Sequence, residues 1–95
     1  MTTSVKDKAR LQRAYVPTTA LAKAVTFDDA LMYVTLTDGR IIGVPIIWFP
    51  ILHAAAPAER ERYEISAGGR SLHWEDLDED LSVAQLLAGA DWHAR

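Results

Sequence analysis

The sequence predicts an α+β domain: an antiparallel sheet of two β-hairpins plus a short edge strand, with two short helices packed on it. Asp38-Gly39 sits between two runs rich in β-favouring residues, and Gly68-Gly69 sits between two more. Such dipeptides tolerate positive φ and so mark hairpin turns. Pro50 and Ser82 stand where helices open. The chain has 95 residues, 49% of them apolar and 24% charged. That length supports one small core, and that composition excludes disorder throughout.

Along the chain, residues 1–21 read as a basic N-terminal arm and residues 22–95 as the single domain. Val5, Ala9, Leu11 and Ala14 make only a thin apolar stripe, and Pro17 ends any helix there. Residues 24–27 are the short strand, closed by the turn formers Asp28 and Asp29. Residues 31–37 and 40–44 are the arms of the first hairpin. A two-residue turn at Asp38-Gly39 would set Leu36 opposite Ile41, Thr35 opposite Ile42, Val34 opposite Gly43 and Tyr33 opposite Val44. That register places Met32, Val34, Leu36 and Ile41 on one face. It places Leu31, Tyr33, Ile42 and Val44 on the other, so neither face is polar and a partner is expected to cover one of them.

Pro45 ends strand pairing. Pro50 suits a helix from 47 to 55, and Pro57 with Glu59 suits one more helical turn to 62. Residues 63–67 and 70–74 form the second hairpin, pairing Ile65 with Leu72, Tyr63 with Trp74, and Glu64 with His73. Residues 75–80 hold five carboxylates in six positions. Ser82 is then the N-cap of a helix over 82–89, with Gln85 three residues on and Val83, Leu86 and Leu87 on its buried face. Gly89 closes it.

Charge is uneven. Residues 1–23 carry net +4, from Lys6, Lys8, Arg10, Arg13 and Lys23 against Asp7, and residues 24–95 carry net −7. The arm is therefore the one candidate for nucleic acid, through Lys6, Lys8, Arg10 and Arg13. Those charges are few and only Tyr15 is interleaved with them, so nucleic acid ranks second among partners. The absence of cysteine removes disulfides and thiolate chemistry. No apolar run approaches the ~20 residues of a membrane span, and the polar start lacks a secretory signal, which points to the cytoplasm.

No catalytic, metal or cofactor constellation is read. His53, His73 and His93 lack metal-ligand spacing, and no nucleophile with an orienting third group stands beside them. An enzyme using Glu64 with His73 is the weakest alternative. The acidic run lacks the alternation and distant glutamate of a calcium loop. It reads first as a charge device for the N-terminus of its own helix, and second as a patch for a basic partner. Among the aromatics, Phe49 and Trp74 read as core, while Trp48 is also a candidate interface anchor.

Several strings resemble a known bacterial family, domain-of-unknown-function family number 2442. They are Phe27-Asp28-Asp29, Asp38-Gly39-Arg40, Val44-Pro45 with Trp48-Phe49-Pro50-x-Leu52, and Ala56-Pro57-Ala58-Glu59-Arg60-Glu61 before Tyr63-Glu64. The most specific is His73-Trp74-x-x-Leu77-Asp78-Glu79-Asp80-x-Ser82. The resemblance spans about residues 25–89 and departs from the family pattern twice. Glu75 stands where a proline is usual, and Ile51 where a basic residue is common. It implies a small α+β protein without established enzyme activity, antitoxin-like in the gene context of some members. Some relatives add a helix-turn-helix module, for which the six residues after Gly89 leave no room.

The resulting expectation is a non-enzymatic protein-interaction module, the antitoxin-like member of a bacterial two-protein pair. Its partner would be a second small, toxin-like protein, and the two-faced hairpin also allows a homo-oligomer. Trp48 and Ile51 would anchor the partner, and Asp78, Glu79 and Asp80 would steer it.

Overall fold

The computed structural model describes residues 19–89. Strands β1 (Ala22–Phe27), β2 (Leu31–Leu36) and β3 (Ile41–Pro45) come first. A 3₁₀ turn (Ile46–Trp48) leads into helices α1 (Pro50–Ala54) and α2 (Pro57–Arg60). Strand β4 (Glu64–Ser66), a 3₁₀ turn (Ala67–Gly69), strands β5 (Ser71–Trp74) and β6 (Glu79–Ser82), and helix α3 (Val83–Ala88) complete the order. The strands form two three-stranded antiparallel sheets, β1-β2-β3 and β4-β5-β6, rather than one continuous sheet. No helix among the described residues is long and apolar enough to cross a membrane.

The first sheet follows from alternation. Met32, Val34 and Leu36 are buried while the residues between them are half-exposed, the period of a strand with one face on a core. Asp28 shapes the β1–β2 turn by accepting from the N–H groups of Ala30 (2.9 Å) and Leu31 (2.7 Å). The β2–β3 register is one residue away from the expected one. Met32 faces Val44, Tyr33 faces Gly43, Val34 faces Ile42 and Thr35 faces Ile41.

The shift is visible at the turn. Leu36 N–H donates to Arg40 O (2.8 Å) and Gly39 N–H to Leu36 O (3.1 Å), so Thr37 joins Asp38 and Gly39 in a three-residue loop. Gly39 takes φ +95°, the left-handed bulge position of such a loop. One residue of slip reverses the faces of a strand. Val44 and Ile42 therefore lie on the core side, and Ile41 points outward at 64% exposure. The outer face keeps Leu31, Tyr33 and Ile41, so the expected apolar outer face survives only in part.

The second hairpin has the expected register, with Glu64 opposite His73 and Ile65 opposite Leu72. Its connection is longer than the Gly68-Gly69 pair, because Ala67 (φ +53°), Gly68 (+65°) and Gly69 (+96°) all turn left-handed. Tyr63 lies before β4 rather than in it. A further difference is β6. The sequence predicts an acidic turn and a helix cap there, whereas Glu79–Ser82 pairs with β5, Leu72 facing Leu81 and Trp74 facing Glu79.

One hydrophobic core joins both sheets and the helices. It holds Val25, Met32, Val34, Leu36 and Val44 from the first sheet and Leu72 and Trp74 from the second. Ile46, Leu52, Val83 and Leu86 complete it from the turn and helices. Two polar contacts fasten the layers: Trp74 Nε1 donates to Arg60 O (2.9 Å), and Val25 N–H donates to Tyr63 Oη (3.3 Å). The two short helices expected near 47–55 and 82–89 are present, the first split into a 3₁₀ turn and α1 at Phe49, with α2 following.

Candidate functional site

Two surfaces hold the candidate residues, and the first is the segment after β3. Ile46 N–H donates to Ala30 O (2.9 Å), which ties the segment to the β1–β2 turn. Pro50 occupies the first turn of α1, where a missing N–H costs nothing. Ile46 and Leu52 point into the core. Ile47 and Ile51, four residues apart, are left 50% and 45% exposed. Trp48 and Phe49 meet edge to face, centroids 6.4 Å apart, and both are half-buried against the core. Trp48 is thus already held by its own domain, and Ile51 and Ile47 are the open apolar side chains. The signal for Ile47 in the sequence was its place four residues before Ile51 in the helix expected over 47–55, although the helix itself begins at Pro50.

The end of α1 is closed by Arg60, whose Nε donates to Leu52 O (2.7 Å) and whose Nη2 donates to His53 O (3.0 Å). Glu59 in turn accepts from the Ala56 N–H (2.8 Å) and starts α2. The segment bearing Ile47 and Ile51 is therefore fixed at both ends.

The second surface is the acidic run. Residues 75–78 form the β5–β6 turn, and strand alternation sends Glu79 and Asp80 to opposite faces of their sheet. Asp80 lies on the outer face in a row with His73 and Glu64. His73 Nδ1 lies 2.7 Å from Asp80 Oδ1 and its Nε2 lies 2.8 Å from Glu75 Oε1. With a carboxylate on each ring nitrogen, the imidazolium is favoured, and the pKa of His73 is raised to about 9, by Glu75 first and Asp80 second. Asp76 accepts from Arg62 Nη1 (2.9 Å). Asp78 is exposed with φ +52°, and Glu79 is half-buried beside Trp74.

The reading of this run as a charge device for its own helix is thereby overturned. Ser82 is the N-cap of α3, its Oγ accepting from Gln85 N–H (3.4 Å), and 79–82 is strand. Asp78, Glu79 and Asp80 are not brought together as one patch: Asp80 is engaged by His73 and the other two point elsewhere. His73 as a clamp was missed, because its expected partner was only Glu64. The signal was present in its spacing, two residues from Glu75 and seven from Asp80 across a turn.

A smaller cluster lies at the β1–β2 turn. Tyr33 Oη donates to Asp28 Oδ2 (2.7 Å). That bond, with the N–H groups of Ala30 and Leu31, lowers the Asp28 pKa, and the same bond raises that of Tyr33. No group of three or more His, Asp or Glu among the described residues could hold a metal ion. Lys6, Lys8, Arg10 and Arg13 lie outside the described residues.

Residues 22–91 match the family described as "Protein of unknown function (DUF2442)". A crystal structure of a protein of unknown function from Rhodospirillum rubrum is 30% identical, with TM-score 0.68, covering 79% of this chain and 96% of that one. A solution NMR structure of an uncharacterized protein from Chromobacterium violaceum is 24% identical, with TM-score 0.63, covering 94% of this chain and 84% of that one, and shares the fold. No curated protein matches the chain.

Proposed function

The chain belongs to the DUF2442 family of proteins of unknown function, and from that premise we propose that it is a non-enzymatic protein-interaction module, the antitoxin-like member of a bacterial two-protein pair working in the cytoplasm. The observation that carries the reading is the exposure of Ile47 (50%) and Ile51 (45%) on a segment whose neighbours are buried or hydrogen-bonded. Isolated apolar side chains on a surface are ordinary, but two held rigidly beside a half-buried Trp48 supply a pre-ordered anchor. Preorganisation lowers the entropy cost of docking. Ile51 also replaces the basic residue that the family pattern favours, which suits an apolar contact. Asp78 supplies charge for steering a basic partner, whereas Asp80 is paired with His73.

Co-expression with the product of the adjacent gene is the test. A complex should co-purify, and Ile51→Glu should weaken it by about tenfold or more while leaving the circular dichroism spectrum unchanged. Absence of any complex at low salt and about 1 µM protein would remove the reading.

A further inference from the structure

Sheet edges are sites of unplanned pairing, and folded chains blunt them with charge, short strands or coverage. The edges here are treated unequally. The outward N–H of Val25 in β1 is taken by Tyr63 Oη, and Gly69 packs so closely on the start of β1 that a Cβ there would lie 3.1 Å from Ala22 O. Edge strand β4 has three residues, and edge strand β6 carries Glu79 and Asp80. Among the described residues, edge strand β3 carries neither charge nor a covering side chain, and its one edge device is Pro45 at its end. Residues 41–45 are uncharged, and Ile41 stands 64% exposed on the outer face.

The bonding pattern of β3 follows from its ends. Leu36 N–H donates to Arg40 O, and Ile46 N–H donates to Ala30 O. Antiparallel ladders alternate, so Ile42 and Val44 bond to β2 while Ile41, Gly43 and Pro45 turn their peptide groups away from it. The outward donors are the N–H groups of Ile41 and Gly43, since Pro45 has none.

We propose that two copies of this chain pair antiparallel along β3, with the symmetry axis at Gly43, to give one continuous sheet through both molecules. At that register each Gly43 exchanges N–H and C=O with its counterpart. Each Ile41 N–H donates to the other copy's Pro45 C=O. Every outward donor of the strand is used, and the missing donor of Pro45 falls where Ile41 C=O can remain solvated. Glycine at the axis leaves room for the Tyr33 rings, whose Cε1 lies 3.4 Å from where a Gly43 Cβ would be. Ile41 of each copy then covers Pro45 of the other. Charge selects the same edge, because the chain carries net −3 and an uncharged strand lets two acidic molecules approach without opposed carboxylates at the seam. One short strand per copy is a small interface, so affinity is on the order of micromolar.

The full chain tests this by sedimentation equilibrium from about 1 to 500 µM, with amide exchange measured across the same range. The expected result is a monomer–dimer equilibrium in which exchange at Ile41 and Gly43 slows as concentration rises, while Ile42 and Val44 stay protected throughout. Ile41→Glu, at an exposed position, should keep the fold and abolish detectable dimer. Gly43→Pro, which removes the outward donor at the axis and sets ring carbons against Tyr33, should raise the dissociation constant about thirtyfold or more while the circular dichroism spectrum stays native. Ile51→Glu should leave the dimer intact, which separates this interface from the proposed anchor for a second protein. A chain that stays monomeric throughout, exchange at Ile41 and Gly43 that ignores concentration, or a dimer indifferent to Ile41→Glu would each overturn the pairing.

Discussion

At the scale of single residues, His73 shows how a surface histidine becomes a fixed cation. Its two ring nitrogens each face a carboxylate oxygen, on Glu75 and Asp80, and Glu64 is its cross-strand neighbour. A group whose folded pKa is raised stabilises the fold fully below its unfolded value and loses that contribution as pH climbs through the folded value. For His73 the window runs from about 6.5 to about 9. Native protein should therefore melt higher than His73→Gln at and below the lower limit, and the gap should close above the upper one. Thermal unfolding of both proteins across that range checks the sign, and the ring proton resonances of His73 should titrate near the upper value. The turn before β5 makes a second contrast. Gly68 and Gly69 both have positive φ, but a Cβ at Gly69 would meet Leu21 Cβ at 2.8 Å and Ala22 O at 3.1 Å, while at Gly68 it meets only Arg70 Nη1 at 3.6 Å. Denaturant unfolding should give a cost of about 3 kcal/mol for Gly69→Ala and about 1 kcal/mol for Gly68→Ala.

At the scale of elements, short pieces hold only because their ends are satisfied. Helix α1 has five residues, too few to be stable alone. Arg60 supplies donors to the carbonyls of Leu52 and His53, and its own carbonyl accepts from Trp74. Arg60→Met keeps the stem and the backbone carbonyl but removes both side-chain bonds, and should cost about 1–2 kcal/mol by chemical denaturation. Amide exchange in residues 50–54 should quicken more than exchange in β5. The β2–β3 hairpin makes a related point about turns. Asp38-Gly39 marks the bend correctly, but the same dipeptide fits a two-residue loop and a three-residue loop with a bulge. The local residues do not choose between them; burial of Val44 and Ile42 does.

At the scale of the whole molecule, two three-stranded sheets of short strands share one core. Leu52 and Leu72 are fully buried in it from α1 and β5, and Trp74 is 1% exposed. Cooperative unfolding of both sheets is therefore expected as one transition. Leu52→Ala should cost about 3 kcal/mol and lower the melting of the first and second sheets together. Residue-resolved amide exchange in β2 and β5 would reveal separate transitions if the sheets were independent.

The α+β class, both hairpin bends, the register of the second hairpin, Pro50, Ser82 and the core role of Trp74 were all readable in the residues. Each depends on chemistry local to a few positions: a proline lacking an N–H, a hydroxyl near a helix start, a dipeptide that accepts positive φ. The family could be read too, because its motifs are short strings. Three things were settled only by tertiary packing. Residues 79–82 became a strand because β5 offered an edge beside them, despite carboxylates at Glu79 and Asp80. The first hairpin slipped by one residue because the core accepts Val44 rather than Ile41. His73 met Asp80 because that same strand folds back beside it, while Glu75 reached its other ring nitrogen from the intervening turn. In each case the deciding energy came from strand pairing or core burial, which the local strings leave open even where, as at His73, their spacing allows the contact.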